Sequence, residues 1–136
     1  GPAASELQKV LPGPAGITVL QSIEVIDADN QKAAIDFLFW NALPTVTGTD
    51  KNAFSVTTAE LKQKLVATVS IASGDYISIG TAQGLATKYN LQVPVQSNVT
   101  KESSNPTGKS LFVSMIVRAT ATWTTTSGLL FRFKFQ

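Results

Sequence analysis

The sequence predicts an all-β chain: an antiparallel β-sandwich, jelly-roll-like, with one short helix. Three observations carry this prediction. Roughly seven or eight short stretches alternate apolar with polar residues, and clusters of Gly, Pro, Asn or Asp separate them, as in sandwich domains. One segment alone carries a helix start signal. No repeat of roughly 20 to 50 residues points to a solenoid or propeller.

Taken in order, residues 1–16 read as a flexible N-terminal arm. Gly1-Pro2, without an initiator methionine, looks like the scar of a removed tag, and Pro12, Gly13, Pro14 and Gly16 follow a short polar segment as breakers. The single β-sandwich domain is expected over 17–136. "ITVLQSIEVI" places Ile17 and Val19, then Ile23 and Val25, at every second position of a half-buried strand, with Gln21 breaking the register. Asp27-Ala28-Asp29-Asn30 turns the chain. "AAIDFLFW" then sets Ile35, Phe37 and Phe39 on one face and Asp36, Leu38 and Trp40 on the other. After a turn-rich loop, Thr57 and Glu60 match a capping box. Val56 and Leu61 form its hydrophobic staple, which predicts a helix over 58–65 covering an end or a face of a sheet.

"LVATVSI" alternates Leu65, Ala67, Val69 and Ile71, closes on the turn Ser73-Gly74-Asp75, and is followed by the short strand "YISIG". "TAQGLATKYNL" is open between helix and strand, because Gly84 weakens the first while Ala and Lys weaken the second. Pro94 confines "QVPVQ" to an edge or an irregular segment. The polar stretch 97–110, with Asn105-Pro106-Thr107-Gly108, reads as the exposed tip of a long hairpin. Two strands close the chain. Leu111, Val113, Met115 and Val117 alternate in one; Leu129, Phe131, Phe133 and Phe135 alternate in the other, with Arg132 and Lys134 opposite.

Bulk properties narrow the function. A chain of 136 residues with 43% apolar and 15% charged residues can bury one sizeable core. Eleven basic and nine acidic residues are scattered singly, so no basic patch suggests nucleic acid. No apolar run approaches the roughly 20 residues of a membrane helix and no signal-peptide pattern is present, so a soluble protein without a membrane partner is expected. The chain has neither cysteine nor histidine, which removes disulfides, thiolate chemistry and most triads and transition-metal sites. No cofactor or metal is expected.

The remaining chemistry would fall to carboxylates. Asp-x-Asp-Asn at 27–30 resembles the start of a calcium loop. An EF-hand, however, needs glycine at the sixth place and glutamate at the twelfth, where Lys32 and Leu38 stand. A different calcium site at Asp27 and Asp29 stays open beside the plainer reading, that Asp and Asn cap a turn. Spacing selects no facing pair among Glu24, Asp27, Asp29, Asp36, Asp50 and Asp75, as glycosidase chemistry would require. Asn98-Val99-Thr100 matches a short glycosylation sequon that occurs by chance. Trp40 and Trp123 could stack on sugars, but a core or subunit-interface place is favoured for each. Apolar residues on both faces of 35–40 suggest that the outer face meets another subunit.

The chain resembles a family of small structural proteins of tailed bacteriophages. The residues that carry the likeness are "VIDADNQKAAIDFLFWNALPT", "DKNAFSVTTAELKQKLVATVSI", Tyr76 and the closing "ATWTTTSGLLFRFKF", over about 17 to 135. All are structural. The family more often carries a smaller or polar residue at position 40 and a carboxylate near position 128, so partner contacts there are expected to differ.

The resemblance implies a non-enzymatic virion protein, chiefly a capsid decoration or cement protein that stabilises the phage head. It would act as a homo-oligomer, a trimer being favoured, against the major capsid protein or other virion proteins. Phe37, Phe39, Trp40, Trp123 and Arg132 are the expected assembly residues. The alternative is a carbohydrate- or receptor-binding module of a tail or fibre.

Overall fold

The structure, a computed structural model, describes residues 5–8, 10–13, 16–47, 55–80, 82–97, 104–118 and 128–136. Their strands are β1 (Ser5–Leu7), β2 (Ile17–Asp27), β3 (Ile35–Trp40), β4 (Val46–Thr47), β5 (Ser55–Val56), β6 (Leu65–Ile71), β7 (Tyr76–Ile79), β8 (Gln83–Lys88), β9 (Val93–Gln96), β10 (Leu111–Val117) and β11 (Leu129–Phe135). One helix, α1 (Thr58–Lys64), precedes β6, and a 3-10 turn at Ser73–Asp75 precedes β7. The fold is all-β, with two main antiparallel sheets, as the sequence predicts. One sheet has the order β1-β10-β3-β6; the other has β11-β2-β8-β7, with β9 also on β2; β4 and β5 form a ribbon. The chain groups into two compact units, 1–18 with 37–69 and 94–116, and 19–36 with 70–93 and 117–136. Neither unit is a continuous piece of sequence.

In the first unit, the stretch expected to be a mobile arm contributes a strand. Ser5, Glu6 and Leu7 pair with Val113, Phe112 and Leu111 of β10. The Leu11 amide donates to the Lys109 carbonyl at 2.9 Å, and the Leu11 side chain is 3% exposed. An edge strand needs only one buried side, so a polar composition is no bar to it. The Gly16 amide donates to the Gly13 carbonyl at 2.9 Å, and Gly13 stands at φ 135°, a conformation glycine admits.

The helix forms as its cap dictates. Thr57 Oγ1 accepts the Glu60 amide at 3.2 Å, filling one of the donors a helix start leaves unpaired. Glu60 and Lys64, one turn apart, pair at 2.9 Å. Val56, Leu61 and Leu65 then pack against the buried cluster of Leu38, Trp40 and Phe112.

The turn at Asn105–Gly108 closes as expected, the Gly108 amide reaching the Asn105 carbonyl at 3.1 Å. It is not an exposed tip at Asn105, which is 3% exposed. The Asn105 amide group donates to the carbonyls of Asn41 and Ser110 at 2.9 and 2.8 Å, and its oxygen accepts the Ser110 amide at 3.1 Å. A buried amide with these partners pins two loops together.

β2, which lies in the second unit from Val19 onward, changes phase midway. Thr18 and Leu20 are buried before Gln21, and Ile23, Val25 and Asp27 after it, whereas Ile17 is 57% exposed. Opposite, Lys134 pairs with Ser22 and Phe135 with Leu20, so Gln21 is the extra residue of a bulge. The register break expected at Gln21 is present, but Ile17 and Val19 are not the inward pair.

The ambiguous segment 81–91 resolves to strand over Gln83–Lys88. Ala86 is fully buried, in register between Val25 and Tyr76. A Cβ on Gly84 would stand 2.5 Å from Asn30 Oδ1, so glycine admits the turn over the strand.

Candidate functional site

The acidic turn is a structural hub. Asp27 ends β2 with its side chain fully buried. Its Oδ1 accepts the amide of Asp29 at 3.0 Å, and its Oδ2 accepts those of Gln31 and Lys32 at 2.6 and 3.0 Å. Three N–H groups already occupy this carboxylate, whereas a calcium ion needs several oxygens around it. The loop wraps its anion through left-handed residues, Asn30 at φ 50° and Lys32 at φ 54°. Asn tolerates this conformation well. Nearby, the Tyr76 hydroxyl donates to the Ala33 carbonyl at 2.8 Å. Burial, with Asp27 and Asp75 adding repulsion, pushes the Tyr76 hydroxyl up to about 12.

The other carboxylates considered as catalysts are engaged separately. Asp36 accepts Ser70 Oγ at 2.7 Å and Arg118 Nε at 2.6 Å, and these two partners, Ser70 first, hold its carboxyl below the usual range. Asp75 accepts the Ala72 amide at 2.7 Å and lies 3.2 Å from Lys88 Nζ; the amide and then the ammonium lower it. Glu24 pairs with Arg132 at 2.7 Å across β2 and β11. A shallow hollow of about 270 Å³ in the first unit is lined by Glu6, Gln8, Thr107, Lys109 and Ser110. Its one carboxylate, Glu6, accepts Ser110 Oγ at 2.7 Å. Among the described residues no three acidic side chains gather into a metal-binding group. Asp50 lies outside the described residues.

The expected assembly residues fare differently. Phe37, Phe39 and Trp40 are 1%, 0% and 0% exposed, so this fold offers none of them to a partner. The physical reason is that Phe37 and Phe39 share the buried face of β3 with Ile35, while the opposite face, which carries Trp40, is packed by α1 and by Phe112 of the neighbouring β10. Leu61 covers the Trp40 cluster, and Trp40 Nε1 donates to Ser114 Oγ at 3.0 Å. Arg132 stands on the surface of β11, its side chain 65% exposed. Trp123, which carried the carbohydrate reading, lies outside the described residues, as does the sequon at 98–100.

No protein-family model, curated protein or solved structure matches the chain. The phage resemblance therefore rests on its motifs alone. No helix among the described residues is long and apolar enough to cross a membrane.

The surface that could act lies on the outer face of the second sheet. Leu130 is opposite Ile26, Ile26 opposite Leu85, and Leu85 opposite Ile77, so one apolar row crosses all four strands. Its ends are open, Leu130 at 49% and Ile77 at 59%, and Ile79 on β7 adds 47%. The next row along carries Arg132, Glu24 and Thr87. Sequence reading missed this row because its members belong to four segments with separate alternations. Only the register unites them. The signal was present in "YISIG", where isoleucines alternate with small polar residues and no charge intervenes.

Proposed function

We propose that this chain is a non-enzymatic structural protein of a tailed-phage particle, a capsid decoration or cement protein that stabilises the head by protein–protein contact. The observation that carries the reading is the apolar row of Leu130, Ile26, Leu85 and Ile77 across four strands of a five-stranded sheet. An apolar band flanked on one side by the polar row of Arg132, Glu24 and Thr87 has the character of an interface core with part of its rim. The hydrogen bonds and ion pairs made by Asp27, Asp36, Asp75 and Glu24 support the same reading, since each ties a turn together or links neighbouring strands. The phage-like motifs at 25–45 and 50–71 supply the particle.

Particles lacking this chain are expected to lose infectivity on heating sooner than complete ones. Adding the purified protein back restores the difference. Equal heat survival with and without the protein would count against the cement role.

A further inference from the structure

The two larger sheets end on β1 and β6 in one and on β11 and β7 in the other, while β9, joined to β2 beside the main path, carries Pro94, which cannot donate to a further strand. An open edge is a template for another strand, and charges along it are a common guard. β1 is three residues long and carries Glu6, while the exposed positions of β6 are Thr68 and Ser70. β11 turns Arg132 and Lys134 outward. β7, Tyr76-Ile77-Ser78-Ile79, has no charge, and Ile77 and Ile79 are 59% and 47% exposed. Among the described residues no strand takes its outer edge.

We propose that β7 is a homodimerisation edge, pairing antiparallel with β7 of a second copy about a two-fold axis at Ser78. The triplet Ile77-Ser78-Ile79 reads the same in both directions. A register centred on Ser78 therefore sets Ile77 of each copy opposite Ile79 of the other, giving two equal apolar cross-strand pairs. The charge pattern selects this edge over the other end of the sheet. Full overlap of β11 with itself centres on Arg132 and sets one guanidinium against another, which is unfavourable. Pairing at β7 also brings the apolar rows of the two copies side by side into one longer band. A four-residue strand pair covers less than the roughly 800 Å² per partner of a stable interface, so the dimer is weak and concentration-dependent.

This inference rests on the reading above only in taking the surface as a protein-binding one, and it adds the partner and the symmetry. Analytical ultracentrifugation of the full chain over a wide concentration range tests it. The weight-average mass is expected to rise from the 14.4 kDa of one chain toward twice that value. Ile77→Lys with Ile79→Lys places like charges opposite each other and raises the dissociation constant at least about tenfold. Ile77→Lys with Ile79→Glu on the same chain sets Lys against Glu twice and recovers association that weakens with salt. Melting curves matching the parent's confirm that both variants fold.

A monomer at every concentration, a trimer, or a mass unmoved by the double lysine variant would overturn the two-fold edge. Incorporation of the unsubstituted protein into particles is scored separately, so loss of the dimer and loss of the structural role are told apart.

Discussion

The indole N–H of Trp40 on β3 donates to the hydroxyl of Ser114 on β10 at 3.0 Å, with Trp40 fully buried and Ser114 3% exposed. This bond lets a tryptophan lie inside the first unit with its one polar atom satisfied. Replacing Ser114 by alanine strands that N–H in an apolar place, and the expected loss is about 1–3 kcal/mol. Trp40→Phe with Ser114→Ala removes both polar groups, so the second change costs less in the presence of the first. Guanidinium unfolding of the two single variants and the double variant measures this coupling. Additive losses would show that the bond contributes nothing.

Asp27 organises its loop through three amides, those of Asp29, Gln31 and Lys32. Asp27→Ala leaves them without their acceptor and is expected to destabilise the protein by about 3 kcal/mol. Asp27→Asn keeps one acceptor oxygen and loses less. Because the carboxylate faces N–H groups, millimolar calcium is expected to leave the melting temperature unchanged. A calcium-dependent rise, lost in Asp27→Asn, would restore the ion-site reading.

Stability is expected to fall at both ends of the pH scale. Asp36, Asp75 and Glu60 have carboxyl groups lowered in the folded state, by Ser70, the Ala72 amide and Lys64 respectively. A lowered group stabilises above its unfolded value and loses that contribution as pH drops through the folded one, so the acid limb lies below about pH 4. Tyr76 is shifted the other way, to about 12 by burial first. It stabilises fully below about pH 10, and that contribution, on the order of 2–3 kcal/mol, is lost as pH rises from 10 through 12. Chemical unfolding across pH checks both limbs. Tyr76→Phe should flatten the alkaline limb and leave the acid limb in place.

Much of the fold was legible because its signals are local. Thr57 with Glu60 announces the helix start, Gln21 announces the break in β2, and Ile35, Phe37 and Phe39 announce a buried strand face. What escaped depends on contacts remote in sequence. Leu38 and Trp40 are covered by α1 and Phe112 of the same chain, which no alternation within 35–40 reveals. On β10, Phe112 and Ser114 are buried while Met115 is 40% exposed, so the expected inward set of Leu111, Val113, Met115 and Val117 holds only at its start. β1 escaped because Ser5-Glu6-Leu7 has no apolar pattern, and its place comes from the backbone of β10. The candidate surface is a matter of register among four strands, which composition cannot supply.

Quantitative mass spectrometry of purified particles made by the genome that encodes this chain tests the central claim most directly, namely that the protein works as a fixed part of the particle. Peptides from the chain are expected in a fixed ratio to the major shell protein, unchanged by further purification. Their absence from the particles, or a copy number that falls with every washing step, would contradict the claim.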